Sequence, residues 1–423
     1  MTTPKTTGHQ VSSSLPLPAA AWIAVSVLWL AGGSNYLTRT MLTTMRGSIL
    51  EEIPMTDAQF GLLTSGFLWV YAFASPFAGF FADRFSRRLV VIVSLFAWSA
   101  ITWLTAYVQT FEQFLALRIL LGLSQACYIP AAVALIVDYH RGPTRSLATG
   151  LHATGLIGGS AIGGLGGWLA AESGWSHAYV VIGLPNLALG ILLYFTLRDP
   201  PREGSSGTTE PVRLGGALRS LLGRPGPFYA MMACVGVQGA VSWTIIGWMP
   251  TQMREQFNLG QGAAGFSALG FLYFAQIVGL LAGGYWTDRV SLRNPRARIF
   301  IPAVAIVCAA PAFWLTGWSP MLGFTLASLS LWGLAMGFLG ANMMPITCLM
   351  VDSRYRATAM GVLNLFAAVS GGLAVYGVGA LRDAQIGFSF ILTAAGFGAV
   401  LCGFLLWVVN SLVRKQDAVK DHT

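Results

Sequence analysis

The chain is poor in charge and poorer still in acid. Only 10% of its 423 residues are charged while 55% are hydrophobic, where an ordinary soluble domain carries about 25% charged residues. A water-soluble globular protein is excluded. The 16 Asp and Glu are confined to loops, tails and the ends of apolar runs, and none stands in the middle of one. Cysteine is also scarce. The five present, Cys127, Cys234, Cys308, Cys348 and Cys402, lie in apolar runs without the spacing of a disulfide framework or a metal site, and read as small buried hydrophobes. The glycine-rich runs lack the Lys-Ser/Thr of a phosphate loop, and no nucleophile triad is recognisable, so neither an enzyme nor a cofactor is indicated.

What is there is ordered by position. Of 25 Lys and Arg, 20 fall in the N-terminal tail and in 84–88, 141–145, 198–224, 289–298, 354–356 and 414–420. The intervening loops hold only Arg46, Arg254 and Arg382 and lean acidic through Glu51, Glu52, Asp57, Glu112 and Glu172. This is the positive-inside pattern of a multi-pass membrane protein, and it places both termini and the central loop on the cytoplasmic face. The basic excess is thus a topology signal and not a nucleic-acid footprint. The partner it implies is a lipid bilayer, with compact loops pointing to a bacterial inner membrane. A single Lys precedes the apolar run from Ala19 without an evident cleavage site, which reads as an uncleaved first span.

A bilayer takes about 20 apolar residues per helix. Twelve candidates satisfy this, at 20–47, 58–82, 88–108, 112–139, 146–171, 177–197, 226–252, 263–286, 298–318, 321–351, 357–381 and 386–412. The polar, Pro/Gly/Ser-rich stretch 198–225 separates two sets of six, giving an N-terminal bundle at 1–197 and a C-terminal bundle at 226–423. Two internal echoes relate the halves. Gly79-Phe-Phe-Ala-Asp83-Arg84-Phe-Ser-Arg-Arg88 returns as Gly284-Tyr-Trp-Thr-Asp288-Arg289-Val-Ser291, and Val137-Asp138 with Arg145, Ala148 and Gly150 returns as Val351-Asp352 with Arg356, Ala359 and Gly361. Repeated halves of spanning helices are the architecture of secondary transporters. The acid–base pairs at one membrane level suit a latch that closes in one state and parts in the other.

These loops and the six-plus-six layout resemble the major facilitator superfamily. Asn35-Tyr-Leu-Thr-Arg39, Arg118 with Gly122, Gln125 and Ala126, and Leu197-Arg-Asp-Pro-Pro-Arg202 are similar to its anion:cation symporter and Spinster-like branches. The resemblance implies an all-α membrane fold working by alternating access as a monomer, with helices 1 and 4 lining a central cavity. In the related symporters an Asp typically precedes the helix-1 arginine and a Glu occupies the place of Gln125, and those carboxylates are implicated in proton coupling. Here they are Thr38 and Gln125.

Arg39 and Arg118 are the only arginines in mid-helix, and a charge in the bilayer is costly enough to mark function. Asn35 and Arg39 share a face of helix 1, as Arg118, Gly122 and Gln125 share one of helix 4. Cations without carboxylate partners need an anion, and a carboxylate, sulfonate or phosphate would meet the planar guanidinium bidentately. The cargo is therefore expected to be a small organic anion such as a sugar acid. His152, the one histidine within a span, is a candidate for anion binding or for a proton as coupling ion. Tyr36, Gln238, Trp243, Tyr273, Gln276, Asn342 and Asn364 are further candidate lining residues. A Spinster-like carrier of lysolipids or sphingoid molecules is the alternative. Gln125→Glu is expected to make anion transport pH-dependent, strengthening as the new carboxylate is protonated, and a pH series on the variant checks it.

Overall fold

The computed structural model describes residues 19–140, 144–198, 214–223 and 226–420. With no water in a bilayer core to satisfy backbone groups, apolar runs of this length must bond internally as helices, and the described residues are helical almost throughout. In chain order they form α1 (Ala19–Thr44), α2 (Arg46–Glu52), α3 (Asp57–Arg84), α4 (Arg87–Thr105), α5 (Phe111–Ala126), α6 (Tyr128–Tyr139), α7 (Arg145–Ala161), α8 (Gly164–Ser173) and α9 (Trp175–Thr196). After α10 (Leu214–Leu222) come α11 (Pro227–Phe257), α12 (Gln261–Gly265), α13 (Phe271–Ser291), α14 (Ala297–Trp318), α15 (Leu322–Met350), α16 (Arg356–Asp383) and α17 (Phe388–Lys420).

Eleven helical runs among the described residues are long and apolar enough to cross a membrane, with α5–α6 and α12–α13 each counted once. The run α7–α8, split at Ile162–Gly163, completes twelve. The breaks have local causes. Pro130 has no N–H to give Ala126, so the fourth span is interrupted at Cys127. Thr56 and Gln59 form a reciprocal capping box that starts α3, at 3.1 and 2.9 Å. Within the stretch read as a linker, Leu214–Leu222 are helical. Large apolar side chains such as Phe77, Phe195, Phe274 and Trp407 point outward, as a lipid-facing surface requires.

The helices make two six-helix bundles that pair alike. In one, α1 packs on α7, α3 on α5 and α4 on α9; in the other, α11 on α16, α13 on α15 and α14 on α17. The internal repeat of the sequence is thus a repeat of packing. Glycine sets the closest crossings: a Cβ on Gly159 of α7 would overlap the Gly33 backbone of α1, and one on Gly239 of α11 would overlap Ala367 of α16.

The bundles meet through α3 with α16, α8 with α12, α7 with α13 and α1 with α11. Several of these contacts fall between mid-span and the end remote from the termini, the far end. Ser65 donates to the Gly372 carbonyl at 2.6 Å, and the Trp69 indole to that of Val369 at 3.2 Å. Gly61 lies against Val375 and Tyr376, and Gly379 against Asp57. Gly159→Val is expected to cost about 1–3 kcal/mol, the range for overpacking a filled interior, read as a fall in melting temperature of the purified protein.

Candidate functional site

Arg39 and Arg118 are both deeply buried, at 5% and 1% exposure. Arg39 lies over three aromatic rings, its guanidinium carbon 4.3 Å from the ring centroids of Tyr36 and Tyr71 and 5.3 Å from that of Phe67. Each such cation–π contact contributes about 0.5–2 kcal/mol. Its Nε donates to Gln125 Oε1 at 2.9 Å, while Nη2 has no partner.

The bond to Gln125 starts a directed chain. Gln125 Nε2 donates to Thr38 Oγ1 at 2.9 Å, and Thr38 Oγ1 donates to the Asn35 carbonyl at 2.8 Å. The chain fixes which way the amide faces: its oxygen is turned to Arg39, so the cation is solvated but not neutralised. Among the described residues no acid sits at mid-span; the nearest along the sequence stand at helix ends, such as Asp57 and Glu112. The Asn35 side chain is fully buried with both amide atoms unpartnered, one turn from Arg39.

Arg118 is held differently. Nε donates to the Leu63 carbonyl at 3.2 Å and Nη1 to that of Thr38 at 3.4 Å, with Phe67 4.9 Å from the guanidinium carbon. Two backbone carbonyls thus take part of its hydrogen-bonding capacity, tying α5 to α1 and α3, while its Nη2 has no partner, as in Arg39. Gly122 makes room for α3 itself: a Cβ there would stand 2.6 Å from the Phe67 carbonyl oxygen. That approach carries Phe67 and Tyr71 over to Arg39. His152 is 1% exposed with Nε2 3.1 Å from the Tyr128 hydroxyl. Tyr128 spends its single proton on the Leu28 carbonyl at 2.6 Å, so the hydrogen between the two rings belongs to His152 Nε2.

The C-terminal candidates spread out. Tyr273 approaches Ser160 and lies within electrostatic reach of Tyr36 and Arg39. Trp243 lies on Gly371 of α16 and also packs against the N-terminal core. Gln238 bonds Ser242 and Met336, and Gln276 is half-buried on α13, its backbone carbonyl against Gly337 of α15. Asn342 is spent on Thr287 and the Phe338 carbonyl, bracing α15 against the end of α13, where the second copy of the repeated motif is helical rather than a loop, and Asn364 is exposed on α16.

At the termini end, the described contacts of the expected latch groups stay within a bundle. Asp138 pairs with Arg87, Asp288 with Arg298 at 2.8 Å, and Arg88 donates to the Tyr194 carbonyl. Arg289 donates to Tyr285, Asp352 caps Arg354, Arg84 and Arg145 are exposed, and Arg356 is half-buried. The side chain of Asp83 lies outside the described residues.

The sequence reading passed over a larger charge cluster at the far end. Arg46 pairs with Asp57 and lies 3.6 Å from Glu255; Arg382 reaches Asp57 at 3.0 Å and chelates Glu255 at 2.8 and 2.9 Å. The ring alternates sign and draws two members from each bundle. Both guanidiniums lie about Trp248, 6.0 and 5.3 Å from its ring centroid. Asp383 adds a cap, accepting from the Asp57 and Ala58 N–H groups across the bundle interface at 2.8 and 2.9 Å. The signal was present: Arg46 and Arg382 are two of the three bases that stand against the positive-inside pattern. Tyr71 and Phe67 gave no comparable signal, being aromatics in an apolar run.

Twelve spans in two alike bundles, enclosing an unneutralised cation beside their interface, define a membrane carrier. The chain belongs to the major facilitator superfamily, whose family description it matches over residues 28–375. It is 26% identical over 407 residues to a probable sulfoacetate transporter of Cupriavidus necator, spanning 91% of this chain and 94% of that one. It is 25% identical to a probable L-galactonate transporter of Escherichia coli, over 94% and 91% of the two chains. It is 27% identical to spinster homolog 1 of Xenopus laevis, over 70% of this chain and 59% of that one. Among solved structures it shares its fold with a bacterial homolog of the human lysosomal transporter Spinster, with a TM-score of 0.76 and 21% identity over 94% and 96% of the two chains.

Thr38→Val removes the acceptor of Gln125 Nε2 and leaves a buried donor unpaired. A loss of about 1–3 kcal/mol of stability is expected, seen as a lower melting temperature.

Proposed function

We propose that this chain moves a small organic anion, a sugar acid or another carboxylate, across the membrane by alternating access, with Arg39 as the anion anchor. The observation that carries the reading is the state of Arg39. It is buried, set over the Tyr36 and Tyr71 rings and bonded to a neutral amide, and it keeps an Nη2 donor unspent where no mid-span carboxylate balances it. An uncompensated buried cation is costly, and an anionic cargo removes that cost on binding. The probable transporters of sulfoacetate and L-galactonate among the relatives support the substrate class, since those acids are anions at neutral pH. Asn35, Tyr36 and Tyr273 are the neighbouring groups for hydroxyls or a second carboxylate oxygen. Arg118 contributes positive potential from a fixed position rather than a direct grip.

Coupling is read as anion exchange or facilitated movement. Gln125 does not titrate, and His152 is engaged with Tyr128. The far-end ring of Arg46, Asp57, Arg382 and Glu255 holds the bundles together on that side, and the pairs at the termini end (Asp83, Arg84 and Arg88; Asp138 and Arg145; Asp288 and Arg289; Asp352 and Arg356) serve the opposite state. By the charge pattern, the termini face the cytoplasm of a bacterial inner membrane.

The test is the melting temperature of the purified protein against sugar acids, other carboxylates, organophosphates and lysolipids, since a ligand of the folded state stabilises it by mass action. A water-soluble carboxylate is expected to raise it, and Arg39→Gln to weaken that ligand roughly 10- to 100-fold, the loss of a charge-assisted hydrogen bond worth about 1.5–3 kcal/mol. A rise with lysolipids alone, indifferent to Arg39, would replace this reading with a Spinster-like lipid carrier.

A further inference from the structure

Beside the far-end ring, where the end of α1 and the start of α2 meet α11 and α12, lies a cavity of about 40 Å³. A water needs about 10–15 Å³ on this measure, so the space fits a small ion or a single carboxylate group. Its lining includes Arg46, Gly47, Thr251, Arg254, Glu255 and Gln261.

The hydrogen-bond inventory of that lining does not close. Arg46 gives Nη2 to Asp57 and has Nη1 near Glu255, but its buried Nε has no partner. The Thr251 hydroxyl, in a residue 5% exposed, has none either. Arg254 makes no hydrogen bond or ion pair among the described residues. Its guanidinium lies across Gly47 so closely that a Cβ at that position would overlap it. Gln261 is turned away, trading bonds with Ser48. Glu255 is the one acid in the lining, and both of its oxygens are already taken by Arg382. The lining therefore carries two guanidiniums against one committed carboxylate, and each unspent group can donate, the Thr251 hydroxyl being able to accept as well. Buried donors without acceptors cost free energy, and an acceptor-only ligand of negative charge satisfies this set.

We propose that this cavity is a second anion site, separate from Arg39, that holds one monovalent anion between Arg46, Arg254 and Thr251. Two sources offer that chemistry: the carboxylate of the cargo, held at the far end before or after Arg39, or a resident chloride. Thr43 and Thr44 of the same lining stand four and five residues beyond Arg39, roughly 6–8 Å of helix rise. A cargo anion could thus pass from one cation to the next without crossing the membrane core unpaired. An anion here also competes with Glu255 for Arg46, so its arrival loosens the ring that joins the bundles. The cargo form of the proposal rests on the anion-carrier reading above; the site itself does not.

The experiment is titration of the full chain in detergent with sodium chloride and with sodium acetate, following the melting temperature. A saturable rise is expected in the parent and in Arg39→Gln, with half-saturation shifted at least 10-fold by Arg254→Gln or Thr251→Val and partly recovered in Arg254→Lys. A rise with chloride alone assigns a resident inorganic ion; a rise with acetate as well assigns a station for the cargo. Equal titrations of the parent and Arg254→Gln, or a rise lost in Arg39→Gln and kept in Arg254→Gln, would overturn the second site. If Arg254→Gln does not fold, Gly47→Ala, whose methyl displaces the guanidinium, carries the same comparison. Transport that survives Arg39→Gln while the chloride response disappears with Arg254→Gln would sink the anchor reading and leave this site standing.

Discussion

The rest of the molecule depends on a charge buried without a counter-charge. A guanidinium inside a bilayer is tolerated only when its surroundings replace the water it gave up. For Arg39 the replacement is partial by construction. Two tyrosine faces and one amide oxygen stabilise the cation, and no carboxylate among the described residues neutralises it. A carboxylate at position 125 would have neutralised it within the protein. The amide leaves the charge uncompensated, which is the basis of the proposed anion anchor, and the Thr38–Asn35 chain behind it prevents the amide from turning its NH₂ toward Arg39.

The two arginines show how one residue type serves two ends. Arg118 is directed at backbone carbonyls of two neighbouring helices, so its charge also welds α1, α3 and α5 together. Arg39 is directed at side chains, and side chains can rearrange. The difference comes from Gly122, which lets α3 approach α5 until the Phe67 and Tyr71 rings reach over to α1. A packing glycine thus decides the electrostatics of a site to which it contributes no polar group.

At the far end the same chemistry recurs in a wetter setting. Ion pairs at a surface are individually weak, but the ring of Arg46, Asp57, Arg382 and Glu255 is partly buried, cyclic and shared between bundles, with the α3 N-terminus capped from across the interface by Asp383. Each bundle supplies one cation and one anion that pair within it, and Arg382 with Asp57 and Arg46 with Glu255 join the two pairs across the interface. Those cross-contacts are a physical reason for the halves to meet here.

By itself the sequence determined the class of fold, the number and order of the spans, the relation between the halves and the two arginines that do not belong in a membrane. All of these follow from hydropathy, from the sign of loop charge and from the high cost of burying charge, which act along the chain and need no knowledge of neighbours. Only the tertiary structure decided which arginine is set over tyrosines and which is tied to carbonyls, that Asn342 braces α15 against α13 instead of joining Arg39, and that bases standing against the charge pattern at 46 and 382 close into a ring. Those outcomes depend on which helices touch and at what depth. Close approach is set by glycines and aromatics whose partners lie as many as 322 positions away, as Gly379 and Asp57 do, and an apolar run looks the same in sequence whichever of its faces turns inward.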